Sequence, residues 1–295
     1  MPERDGYMHG VPCWIDTSQP DPDAAVAFYG GLFGWEFEDA MPPGSPGKYL
    51  IARIRGGDVA AVTSQPEGAA STAAWNTYIW VDSADDAATK VVGAGGRVVM
   101  EPFDVMDAGR MAVFADPEGA EFRVWQANQH KGARVVNEPG SLNFNGLGTR
   151  DPEGAKSFYG AVFGWGTLAL DGAEIWRLPG YGDFLELSDP GLRKRMAEVG
   201  APEGFEDVVA QLSPIADDQP DVRPHWSVTF AVDDADATAK RATELGGQVV
   251  IPPFDAPWVR MTLIADPAGA TFIASKFVPE NRELGAQPDS TVRAA

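Results

Sequence analysis

One cysteine and three histidines in 295 residues leave little material for a disulfide framework or an imidazole-rich metal centre. Basic residues are scarce as well, 23 against 43 acidic ones. The formal charge of -20 would repel phosphate backbones and anionic headgroups, so neither nucleic acid nor a membrane surface is an expected partner. No stretch approaches the roughly 18 uninterrupted apolar residues of a membrane span, and Met1-Pro2-Glu3-Arg4-Asp5 lacks the basic start and apolar run of a signal peptide. A soluble cytoplasmic protein is the expectation. The lone Cys13, between Pro12 and Trp14, reads as core filler, with a reactive thiol the lesser alternative.

Apolar residues are plentiful, 44% of the chain, enough for two cores of ordinary domain size. The order of motifs divides the chain the same way. Asp21-Pro22, Phe28-Tyr29-Gly30 and Phe33-Gly34-Trp35 recur as Asp151-Pro152, Phe158-Tyr159-Gly160 and Phe163-Gly164-Trp165. Val81-Asp82, Gly95-Gly96 and Pro102-Phe103-Asp104 recur as Val232-Asp233, Gly246-Gly247 and Pro253-Phe254-Asp255, displaced by about twenty residues more. The order is therefore A, B, A′, B′, with domains expected at 8–130 and 139–277 and the extra residues of the second copy placed at 191–222. A flexible tail is expected over 279–295.

Each half follows one grammar. An alternating strand such as Asn76 to Val81 leads to a helix start, Asp-Pro in the A halves and Ser83-Ala84-Asp85-Asp86 in the first B half. The B-type helix stops at Gly-Gly. Three short strands follow, the last two joined by a turn of the type Asp116-Pro117-Glu118-Gly119. Phe28, Leu32 and Phe33 share one helical face, so the Phe-Tyr and Phe-Gly-Trp motifs read as core, with Tyr29 most simply a hydrogen-bonded core tyrosine.

Four βαβββ units carrying Phe-Tyr-Gly-x-x-Phe-Gly-Trp and Asp-Pro-x-Gly-Ala resemble the vicinal-oxygen-chelate superfamily, the glyoxalase, bleomycin-resistance and extradiol-dioxygenase group. The resemblance spans about residues 8 to 277. It implies an α+β fold of two tandem glyoxalase-like domains, each made of two βαβββ units forming a cupped mixed sheet. It also implies, for the metal enzymes of the group, His, Gln or Glu ligands on the first and fourth strands of each unit. Carried onto this chain, those places fall in domain 1 on Pro12 or Trp14, Ala61 or Thr63, Asn76 and Arg123. In domain 2 they fall on Asn143 to Asn145, Glu186, Ser227 and Ile273. Glu186 alone is a carboxylate, and one carboxylate does not hold a metal. No cofactor is expected.

Strand alternation instead points Trp14, Asp16, Asn76, Tyr78, Trp80, Arg123 and Trp125 into the first cup, a ring-rich wall with a few polar groups. Phe144, Asn145, Trp176, Glu186 and Ser227 are the matching candidates in the second. Such linings favour flat, apolar ligands, although each ring could equally be a core residue. His9, His130 and His225 read as solvent-facing or capping, with His225 alone kept in view as an acid or base. The expectation is a metal-free protein binding an aromatic or hydrophobic small molecule, in natural-product tailoring, sequestration or resistance. The alternative is a metal-dependent lyase, isomerase or dioxygenase of the same group. Whether the chain catalyses a reaction stays open, and a monomer suffices, with a homodimer possible.

Overall fold

The computed structural model describes residues 3–65, 68, 72–170 and 173–284, and in it the four repeated units pair in chain order into two eight-stranded sheets. The first unit supplies β1 (Pro12–Gln19), α1 (Pro22–Phe33), β2 (Glu36–Asp39), β3 (Tyr49–Ile54) and β4 (Gly57–Ser64). The second supplies β5 (Ala74–Trp80), α2 (Ala84–Gly93), β6 (Arg97–Val105), β7 (Gly109–Ala115) and β8 (Glu121–Ala127). Their strand order is β2-β3-β4-β1-β5-β8-β7-β6. β1 runs antiparallel to β5, with Asp16 opposite Asn76 and Trp14 opposite Tyr78, and parallel to β4, with Asp16 beside Ala61.

The second half repeats this with β9 (Leu142–Thr149), α3 (Pro152–Phe163), β10 (Gly166–Leu170), β11 (Ala173–Arg177) and β12 (Val208–Pro214). It continues through β13 (His225–Ala231), α6 (Ala235–Glu244), β14 (Gln248–Ala256), β15 (Val259–Ala265) and β16 (Thr271–Phe277). The extra residues lie between β11 and β12, where α4 (Tyr181–Ser188) and α5 (Leu192–Glu198) replace the tight turn that joins β3 to β4. This corrects the expected insertion at 191–222. Val208–Pro214 is the fourth strand of its unit, and the helices begin earlier, in a Gly-rich stretch that the strand-like Phe184-Leu185 obscured. No helix among the described residues is long and apolar enough to cross a membrane.

The helix signals act as their chemistry requires. Asp21 accepts from the amides of Asp23 and Ala24, Ser83 from Asp86 and Asp234 from Ala237, while Gly34 and Gly164 close α1 and α3 with left-handed φ of 71° and 76°. The helices and the backs of both sheets share one core. The Tyr29 ring stacks on Trp35 and meets Trp75 of its own sheet and Phe272 of the other. Tyr29 Oη donates to Asp266 Oδ2 over 2.9 Å and accepts from Trp75 Nε1. Tyr159 does the same toward Asp116 and Trp226. Each Phe-Tyr helix is thus tied to the Asp-Pro turn of the opposite domain. That turn is itself held by its aspartate, which accepts from Glu118 and Ala120 in one copy and from Ala268 and Ala270 in the other.

Cys13 is fully buried, and burial pushes its thiol well above the ordinary value, in keeping with core filler. Pro279–Glu283, within the expected tail, forms a 3₁₀ turn anchored by Asn281, whose side chain donates to Asp255 and to the Val259 carbonyl. The remainder, from 285, lies outside the described residues.

Candidate functional site

The face of sheet 1 turned away from the helices, its inner face, gathers the first set of expected residues around one carboxylate. Asp16, 2% exposed, accepts from Asn76 Nδ2 and from Tyr78 Oη, each at 2.6 Å, and more distantly from Tyr49 Oη at 3.4 Å. Asn76 also donates to Ser18 Oγ, and Trp14 Nε1 donates to Tyr49 Oη at 2.9 Å. Burial first, and then the Asp16 charge, raise both phenols well above their ordinary values, so Tyr49 and Tyr78 keep their protons and serve as donors. The Arg123 guanidinium lies 5.7 Å from the Tyr78 ring centre, close enough for a cation–π contact. Trp80 packs on Tyr7 at one end.

Two members of this cluster escaped the sequence reading. Tyr49 sits on a strand whose alternation is blurred, Tyr49 to Ile54 being mostly apolar, and no motif marks it. His130 follows β8 and folds back over the inner face. It stands edge-on to Trp14 at 4.4 Å and beside Trp125 at 5.8 Å, and its carbonyl accepts from Trp125 Nε1. It is therefore neither solvent-facing nor capping. Among the described residues its Nε2 is buried without a hydrogen-bond partner, and burial lowers its pKa against the opposing pull of Asp58. His9 does accept from a backbone amide, that of Asp82, and His225 lies exposed at the start of β13 with Nδ1 against the Arg223 carbonyl.

In domain 2 the expected set scatters. Phe144 and Ser227 lie on the inner face of sheet 2, where Ser227 Oγ is 3.3 Å from the Gly146 carbonyl. Asn145 cannot share that face with Phe144, since neighbours on a strand point oppositely. Its Oδ1 accepts from Thr77 across the joined backs of the sheets. Trp176, fully buried, packs against Tyr159 and Trp165 in the core. Glu186 lies on α4, where its carboxylate accepts from the amides of Gly191 and Arg193, which lower its pKa and fix the α4–α5 corner. The strand place expected for it is taken by Gln211, beside Gly146 as Ala61 is beside Asp16.

Against a divalent ion this donor set does not fit. Sheet 1 offers one carboxylate already engaged by three donors, with a guanidinium nearby. The central rungs of sheet 2 offer Gly146, Gln211, Ser227 and Ile273. Among the described residues no three His, Cys, Asp or Glu side chains converge as metal ligands would. Two open clefts lie away from this face, one of about 330 Å³ beside His9, Asp82 and Lys90 and one of about 360 Å³ around Met41 to Lys48.

The description "Glyoxalase/Bleomycin resistance protein/Dioxygenase superfamily" matches residues 14–124 and again 141–273. The chain belongs to this superfamily. It is 41% identical over 285 residues, 95% of this chain and all of the relative, to "Putative glyoxylase CFP32" of Mycobacterium bovis. It is 38% identical over 286 residues, 90% of this chain and 93% of the relative, to "Anthracycline biosynthesis protein DnrV" of Streptomyces peucetius. Among solved structures, the Mn(II)-bound glyoxalase of Novosphingobium aromaticivorans superposes with a TM-score of 0.57 at 16% identity, over 91% of this chain and 83% of that one. The 2,2',3-trihydroxybiphenyl 1,2-dioxygenase of Sphingomonas wittichii gives 0.55 at 15%, over 91% of each. These two likenesses are of fold, and the superfamily membership places this chain's paired sheets in the architecture that its repeats imply.

Proposed function

We propose that this glyoxalase-superfamily protein binds an aromatic or hydrophobic small molecule on an inner sheet face without a metal ion, in the tailoring or sequestration of a natural product. The observation that carries this reading is that the strand places of ligating side chains hold an amide and a guanidinium in one sheet, Asn76 and Arg123, and a hydroxyl and an aliphatic chain in the other, Ser227 and Ile273. Such a surface can stack a flat ring system and orient it through a few hydrogen bonds. The relative named for anthracycline biosynthesis supports a planar polycyclic class.

Fluorescence titration of the chelator-treated protein with planar hydroxyquinones tests the reading. Saturable quenching at micromolar probe, unchanged when manganese, iron, nickel or zinc is added, is expected. Absence of quenching by every probe, or stoichiometric metal in the untreated protein on which binding depends, would overturn it.

A further inference from the structure

The two inner faces are built on the same rungs, and at seven positions across their centre the second sheet carries the smaller side chain, although Gln211 is larger than its counterpart Ala61. In sheet 1 Trp14 stands opposite Tyr78, Asp16 opposite Asn76, Tyr78 beside Arg123 and Trp80 beside Trp125. The same rungs of sheet 2 carry Phe144 opposite Thr229, Gly146 opposite Ser227, Thr229 beside Ile273 and Ala231 beside Ser275. Every one of these positions is smaller in the second sheet. A phenol becomes a threonine, a carboxylate a hydrogen, and two indoles become methyl and hydroxymethyl groups. Sheet 1 fills its inner face with its own rings, held by the Asp16 network and covered by His130. On these rungs sheet 2 keeps one ring, Phe144, while Phe277, two residues beyond Ser275 and stacked with Trp258, adds a ring at the end of the same face.

Polar atoms converge where the filling is gone. A Cβ built on Gly146 would lie 2.9 Å from Ser227 Oγ and 3.6 Å from Gln211 Oε1, so both polar atoms lie directly against that glycine, which has no room for a side chain of its own. The Gln211 amide makes no hydrogen bond with any described residue, and it is only half-buried. It therefore offers a donor and an acceptor to whatever lies over Gly146. These central rungs carry no ionic side chain, so nothing there would compensate a desolvated ligand charge.

We infer that the ligand-binding face is that of sheet 2, and that it takes a flat, uncharged ring system whose hydroxyl or carbonyl edge meets Gln211 and Ser227 while its rings lie against Phe144 and Ile273. Sheet 1 is the self-filled partner, its own indoles and phenols occupying the place the guest takes in sheet 2. This inference rests on the ligand-binding reading above and adds the site and the ligand class.

Titration of the full chain with 1,8-dihydroxyanthraquinone, followed by the visible band of the probe, separates the two. Thr229→Tyr with Ser275→Trp rebuilds the first sheet's rings in the second, and Ile273→Trp blocks the same space from a half-exposed position. Each is expected to weaken binding at least ten-fold in protein whose near-ultraviolet dichroism and thermal midpoint remain those of a folded chain. Arg123→Ile, which gives sheet 1 the residue of sheet 2, is expected to leave the dissociation constant within two-fold. Binding that survives Ile273→Trp but falls with Arg123→Ile would overturn the assignment to sheet 2 and leave the ligand-binding reading standing. No binding of the probe by the unaltered chain would remove both.

Discussion

Tyr29 and Tyr159 hold their protons because burial, and then the carboxylate beside each, opposes the phenolate, so each is a committed donor to an aspartate of the other domain. Tyr29→Phe leaves Trp75 Nε1 and one lone pair of Asp266 without their partner in a dry core, and is expected to cost about 1–3 kcal/mol in urea unfolding. A change below about 0.5 kcal/mol would show that water or another side chain takes over the bond. His130 makes a pH-dependent contribution of definite sign. Burial lowers its pKa in the folded chain, so below about pH 6.5 the unfolded chain binds the extra proton first and stability falls as pH falls. His9 is shifted the same way, by burial, so the diagnostic quantity is a difference. Between pH 7 and 5 the stability of His130→Phe should decline less steeply than that of the unaltered chain, and equal slopes would refute the buried, neutral imidazole.

At the scale of elements, the Gly-Gly stops of α2 and α6 do more than end helices. Gly246, at φ 90°, makes the turn, while Gly247 makes room, since a Cβ there would lie 2.8 Å from the Phe28 ring and from the Ala265 carbonyl. Gly247→Ala should therefore destabilise the chain by about 1–3 kcal/mol through overpacking, measured as a lowered urea midpoint with unchanged slope. The repeat grammar made this layout legible, because caps, Gly-Gly stops and Asp-Pro turns are local signals that each act within a few residues. The inner face of sheet 1 was legible for the same reason, strand alternation alone placing Trp14, Asp16, Asn76, Tyr78 and Arg123 together. Domain 2 resisted where a local signal was absent. An offset between repeats shows that residues were inserted but not where, so α4 was read as a strand and Glu186 as lining. Asn145 and Trp176 were assigned without fixing which way their strands face. His130 depends on a chain reversal after β8 that no motif announces.

At the scale of the whole molecule, the reciprocal Tyr–Asp ties and the shared core make the two domains one folded body, and the inner faces differ between its halves. They have diverged, toward internal filling in sheet 1 and toward small side chains over Gly146 in sheet 2, while neither retains a set of donors suited to a metal. A negative formal charge of -20 disfavours anionic partners. The most direct test is a crystal structure of the protein grown with 1,8-dihydroxyanthraquinone. The account predicts planar density over Gly146, its oxygen edge toward Gln211 and Ser227, with no ion between ligand and protein. Density for an ion coordinated by ligand oxygens, or a ligand seated among the rings of sheet 1, would contradict it.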